Sequence, residues 1–229
     1  MNSEGQVVAD GTPQQRLRLR YAKGEQLKYI SHLDLARTWE RAFRRARLPV
    51  AYSQGYNPRP RLQLAAALPV GVTGRFEYLD LWLTEAVEPE GLAARLQPCL
   101  PPGLEVLHAE ATELRGPALQ SQTRAAEYRA QVWSQEPAEA VTARIQALLE
   151  APSILRQRHH KGKMQTYDLR PLIQTVIVEP GLEGEHVLIM RLQLSLQGAG
   201  RPDEVLSALG LTLGHYTIER TNLCCEFDK

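Results

Sequence analysis

The chain has 229 residues, 43% hydrophobic and 23% charged, with a formal net charge of +1. That is enough material for one large domain or two small ones with real cores, and the ordinary composition argues against a fibrous or disordered chain. Its apolar runs are only a few residues long, which excludes a membrane-spanning helix. Its first ten residues have neither the basic nor the apolar region of a secretory signal, so a cytoplasmic location is expected.

Residues 1–14 read as a loose tail. Arg16-Leu-Arg-Leu-Arg-Tyr21 alternates strictly, predicting a strand with one buried and one cationic face. After Lys23-Gly24, Ser31 is set to cap a helix, with Asp34 suiting the exposed amides of its first turn. Leu35, Trp39, Ala42, Phe43 and Ala46 recur at helical spacing and should be buried, which turns Arg37, Arg41, Arg44 and Arg45 outward. Leu48-Pro49 ends that helix, and Tyr52-Ser-Gln-Gly-Tyr-Asn-Pro-Arg-Pro60 follows as a loop with little that suits a core, although Tyr52 also fits a core position.

Residues 62–68 and 75–83 read as strands, Pro89 to Leu96 as a short helix, and 104–110 as a strand. The order is β-α-β-β-α-β. A polar stretch at 114–123 containing Gly116 and Pro117 is a linker. The order then repeats. A strand is predicted at 128–133, a helix from Pro137, strands at 153–157 and 172–178 around a basic turn, and a strand at 187–196. Pro202 opens a helix with Gly210 at its C-cap position, before a last strand at 216–220. The expected fold is α+β, with two tandem ferredoxin-like (βαββαβ) domains built on antiparallel sheets. They span residues 15–113 and 124–222, with a second tail at 223–229.

The small net charge hides an asymmetry. Arg16 to Arg61 holds twelve Lys/Arg against three Asp/Glu, a net +9, and the rest of the chain carries −8. One basic region on a near-neutral chain points to a polyanion, and arginine forks beside tyrosines suit phosphates and unstacked bases. Lys28, His32, Arg37, Arg41, Arg44 and Arg45, with the loop residues Tyr52, Ser53, Gln54, Gly55, Tyr56, Asn57, Arg59 and Arg61, therefore form the candidate RNA-binding set. A second basic stretch, centred on His159-His-Lys-Gly-Lys163, looks like a hairpin tip. It adds Arg158, His159, Lys161, Lys163 and Arg170, with Asp168 and Arg170 also suited to a structural pair.

His32 is the histidine within the main motif and the candidate base if the chain cleaves RNA. Cys99, Cys224 and Cys225 form no disulfide framework or metal-ligand pattern, and no phosphate loop or dinucleotide fingerprint is present, so no cofactor is expected.

Lys28-Tyr-Ile-Ser-His-Leu-Asp-Leu35, with Arg41-Ala-Phe-Arg-Arg-Ala46, Tyr52-Ser-Gln-Gly-Tyr-Asn-Pro58 and Ala67-Leu-Pro-Val-Gly71, resembles the radical-SAM-linked proteins. These are bacterial proteins of unknown function, fused to a radical-SAM protein or encoded beside one. The resemblance runs from Arg16 to Thr221 and implies a radical-SAM partner, because this chain has no cluster-binding cysteines of its own. A fainter likeness, in element order and in the helix-plus-loop pattern, is to the RAMP-type CRISPR endoribonucleases. The expected function is thus RNA binding on behalf of a separate modification enzyme. A metal-independent ribonuclease centred on His32 and a protein-docking scaffold are the alternatives.

Overall fold

A computed structural model describes residues 12–160, 162–182 and 184–227. The first half forms β1 (Gln15–Lys23), α1 (His32–Arg45), β2 (Leu62–Leu64), β3 (Val72–Leu83), α2 (Leu92–Leu96) and β4 (Leu104–Thr112). β1 lies between β3 and β4, and β2 joins the far side of β3, all antiparallel, giving the order β4-β1-β3-β2.

The second half contributes β5 (Thr123–Trp133), α3 (Ala138–Glu150), β6 (Leu155–His160), β7 (Lys163–Asp168), β8 (Ile173–Pro180), β9 (Glu185–Ser195), β10 (Gly198–Ala199), α4 (Pro202–Ala208) and β11 (Tyr216–Cys225). Its antiparallel order is β11-β5-β9-β8, with β10 extending β9. β11 then pairs in parallel with β3 over Ile218↔Val72, Glu219↔Thr73 and Arg220↔Gly74. That short seam makes one mixed nine-stranded sheet, so the chain is an α+β protein whose halves share a continuous sheet. Among the described residues no helix is long and apolar enough to cross a membrane.

Several sequence expectations change here. Residues 153–157 do not pair with the strand beginning near 172. β6 folds back on β7 as a separate hairpin, and β8 pairs with β9 instead. The strand expected at 128 starts at Thr123, directly after a 3-10 turn at Leu119–Gln122 in which Leu119 is fully buried. The expected tail from 223 is in part sheet, since β11 continues to Cys225 and Phe227 packs edge-on to Tyr78 at 5.1 Å. Residues 1–11 of the expected N-terminal tail, and 228–229 of the other, lie outside the described residues.

The largest correction concerns β1. Leu17, Leu19 and Tyr21 do enter the first core, against Trp39 and Phe43 of α1, and Tyr21 meets Trp39 edge-on at 5.1 Å. The other face is no cationic surface. Arg16 and Arg18 are 1% and 4% exposed, and both bind Asp80 of β3, itself fully buried. Arg16 Nη1 and Nη2 also donate to the carbonyls of Gly116 and Pro117 at 3.0 and 2.9 Å, and the Arg18 guanidinium stacks on Phe227 at 3.7 Å. A buried charge is tolerable only when paired, and Asp80 supplies that pairing from 62 and 64 residues away.

The seam between the halves is held in the same way. Arg220 of β11 is fully buried and donates through Nε to Glu77 Oε1 at 2.7 Å and through Nη1 to Ala67 O at 3.2 Å. Burial alone would lower its pKa, but Glu77 and Tyr128 outweigh that and leave it raised, so it stays charged. Gly74 faces this pair closely. A Cβ there would sit 2.6 Å from Glu77 Oε1 and 2.9 Å from its Cγ. Gly74→Ala is therefore expected to displace the carboxylate from Arg220 and to destabilise by about 1–3 kcal/mol, read as a lower urea midpoint. An unchanged midpoint would show that Glu77 moves freely and that the seam does not depend on it.

Candidate nucleic-acid interface

The first helix is fixed by local chemistry. Ser31 caps it, its Oγ accepting from the Asp34 backbone N–H at 3.2 Å and donating to Asp34 Oδ2 at 2.7 Å. The Ser31 hydroxyl, then Arg37 at 3.2 Å, hold the Asp34 carboxyl below its usual pKa range. Ser31→Ala should cost about 1 kcal/mol through the lost cap; a circular-dichroism melt that does not move would refute a stability role for it.

Leu35, Trp39, Ala42 and Phe43 are buried, as their spacing predicts, so Arg37, Arg41 and Arg44 stand on the open side. The loop folds over that side. Ala51 N–H donates to Trp82 O at 2.8 Å and Arg61 N–H to Ala51 O at 2.8 Å. Across the loop neck, Ser53 N–H donates to Arg59 O at 2.8 Å, Arg59 N–H to Ser53 Oγ at 3.0 Å, and Tyr52 bridges to Pro60.

The result is a recess of about 330 Å³ lined by Arg37, Glu40, Arg41, Arg44, Tyr52 and Pro60. Among the described residues, the Arg41 and Arg44 side chains have no hydrogen bond or ion pair, so their donors are available to a ligand. Tyr52 is 46% exposed and not core. Tyr56 at the loop tip is wholly exposed, beside Gly55, whose φ of +136° favours glycine. Ser53, Gln54, Asn57 and Arg59 are exposed on the same loop. Arg61, also exposed, lies over the Trp82 ring at 5.3 Å.

Other residues of the expected set do different work. Arg45 donates to Cys99 O at 3.0 Å, tying α1 to the turn after α2. Lys28 pairs with Glu25 at 2.6 Å, and that bond raises its pKa. His32 is exposed on the first turn, yet desolvation first and the Arg220 guanidinium second lower its pKa. Both causes favour its neutral form.

In the second basic stretch, Arg158 stacks on Tyr167 at 4.9 Å, and Arg156 pairs with Glu204 of α4 at 3.3 Å. Arg170 leaves the set. Its Nε donates to Leu149 O of α3 at 2.9 Å and its Nη1 to Ile173 O at 3.0 Å, so it is an internal brace. Asp168 meets the Arg170 backbone N–H at 3.0 Å and the Ile154 N–H at 2.7 Å. Those amides, Ile154 first, lower its pKa. Lys161 lies outside the described residues, as do the side chains of His159 and Lys163. The anchors of this hairpin run to α3 and α4, in the other half from the recess.

Sequence reasoning misses Glu40 and Pro60 as walls of the recess; the acid on a basic stripe carries no signal of its own. Among the described residues no group of three or more His, Cys, Asp or Glu is placed to hold a metal. What the recess and loop present is a pair of guanidinium groups, Arg41 and Arg44, and the exposed rings of Tyr52 and Tyr56.

A family model described as "Uncharacterized protein conserved in bacteria (DUF2344)" matches residues 16–202. The chain belongs to this family. The matched span takes in α1, its loop and the recess, and both buried arginines of β1. No curated protein matches the chain. Among solved structures, a chain of a Cbf5–Nop10–Gar1 complex is similar at 11% identity and a TM-score of 0.47, covering 89% of this chain. The present chain spans 48% of that one. A protein from Galdieria sulphuraria is similar at 15% identity and a TM-score of 0.28, over 91% of this chain and 99% of its own. At these scores neither likeness bears on fold or function.

Proposed function

We propose that this protein binds RNA through α1 and the 52–61 loop and presents it to a separate radical-SAM modification enzyme. The observation that carries the RNA reading is the recess where Arg41 and Arg44, free of internal partners, stand beside the half-exposed Tyr52. Phosphates take the guanidinium forks, and unstacked bases take the tyrosine faces. The radical-SAM partner rests on the sequence resemblance at Lys28–Leu35 and the stretches that follow it.

The recurrence of one antiparallel order, β4-β1-β3-β2 and then β11-β5-β9-β8, supports a duplicated ferredoxin-like unit as the scaffold, at 15–113 and 124–222. The lowered His32 pKa favours one second reading, a metal-independent ribonuclease in which neutral His32 is the base. Filter binding of total cellular RNA at low and moderate salt, with the bound RNA run on a gel, tests both. Salt-sensitive binding of intact RNA is the expected result. Shortened RNA, restored to full length with His32→Ala, would replace it with the nuclease. No binding at either salt would refute both and leave a protein-docking scaffold.

A further inference from the structure

The recess on α1 contains one group that phosphate recognition does not use. Arg37, Glu40, Arg41 and Arg44 recur at intervals of three and four residues, so they share one helix face and form one wall. Tyr52 and Pro60 form the other. These two are paired across the loop neck, and residues directly opposite in an antiparallel pair project from the same side, so both rings line the recess together.

Glu40 is a carboxylate in a wall otherwise made of cations. A glutamate four residues before an arginine is the favoured arrangement for an ion pair on a helix, and Arg44 stands at that spacing. Arg37, three residues the other way, is taken by Asp34 at 3.2 Å. Among the described residues the Glu40 side chain nevertheless has no ion pair or hydrogen bond, with Arg44 or with any other group. It is partly buried and lines the recess, so it faces whatever enters.

The opposite charges would sort the parts of a nucleotide. Phosphate is drawn to the arginines and repelled by Glu40, which leaves Glu40 for a group that donates. An ionised carboxylate only accepts, through two oxygens side by side. Guanine presents two adjacent donors, N1–H and the N2 amine, on its Watson–Crick edge. Adenine and cytosine set an acceptor nitrogen beside their amine, and uracil flanks its N3–H with two carbonyls, so each turns a lone pair toward a carboxylate oxygen. At about 330 Å³ the recess is at the small end of ligand sites and suits one unpaired base.

We propose that the α1 recess selects an unpaired guanine, with its Watson–Crick edge on the Glu40 carboxylate, its face on Tyr52 and the adjoining phosphates on Arg41 and Arg44. Unpaired bases offer both that edge and that face. The inference rests on the RNA reading above and adds to it the base that the site prefers.

Fluorescence anisotropy with short labelled uridine strands tests it, each strand carrying one central guanosine, inosine, adenosine or cytidine. The guanosine strand should bind about tenfold more tightly than the adenosine or cytidine strands, and inosine, which lacks the N2 amine, should fall between. Glu40→Ala should reduce the guanosine preference to about twofold or less. Having lost a negative charge, it should also bind the all-uridine strand roughly twofold more tightly, whereas a misfolded variant would lose every strand. Equal affinity of the parent for all strands, or a guanosine preference that survives Glu40→Ala, would overturn guanine selection; salt-dependent binding of the same strands would then leave the RNA reading standing. No binding of any strand at low salt would remove both.

Discussion

Asp80→Ala is expected to be the most damaging single substitution in the sheet, costing about 3–5 kcal/mol. Asp80 is completely buried and receives the guanidinium of Arg16 through Nε at 2.9 Å and that of Arg18 through Nε at 2.8 Å. Removing it leaves two charges with no counter-charge at the site. Arg16 keeps the carbonyls of Gly116 and Pro117 and the Trp82 ring at 4.7 Å, but Arg18 keeps little beyond the Phe227 ring. For a chain of this length the melting temperature should fall by roughly 10 °C or more. Urea denaturation gives the number directly, and a loss under about 1 kcal/mol would show that water or rearrangement rescues both arginines. Replacing Asp80, Arg16 and Arg18 together with apolar residues of similar volume should recover much of the loss, since a buried ion cluster is weakly stabilising relative to packed hydrocarbon.

The double substitution Arg41→Glu/Arg44→Glu should weaken RNA binding by roughly a hundredfold at low salt, because two phosphate partners disappear and two repelling charges replace them. Both side chains are exposed and without internal partners, so the fold should be nearly unaffected. Arg44 does favour the C-terminal end of α1, which makes Arg44→Gln a useful control for the helix itself. The slope of log affinity against log salt should also shrink, by about 0.7 for each phosphate of a single strand that is no longer neutralised. A variant that binds RNA as tightly as the parent, with the same slope, would remove the recess from the interface. A weaker affinity with an unchanged slope would point to misfolding rather than to phosphate recognition.

The register of α1 is legible in the sequence because everything that sets it is local: the Ser31 cap, the Leu35–Trp39–Phe43 stripe and the stop at Leu48-Pro49. The same holds for the exposed loop, whose prolines and glycine leave few alternatives. Alternation along β1 is a true guide for Leu17 and Leu19 and a false one for the arginines. Whether an arginine faces water depends on a carboxylate far along the chain, and nothing within residues 16–21 announces Asp80. The β6–β7 hairpin is hidden for a related reason. Its strands are polar on both faces, so periodicity does not separate them from a basic turn. Arg170 likewise reads as a surface cation because the carbonyl ends it braces, at Leu149 and Ile173, carry no mark in the sequence.

The position of β11 bears on how the chain is made. It is the central strand between β5 and β3, yet it leaves the ribosome after every other strand described. The first half can close its four strands during synthesis, while the flank of β3 at Val72–Gly74 and the length of β5 from Thr123 to Val132 stand open until residues 216–225 emerge. Open flanks of this kind recruit strands from neighbouring chains, and a partner 146 residues away in sequence is slow to arrive. Nascent chains crowded on one message are therefore most exposed to mispairing in the interval before that last strand slots in.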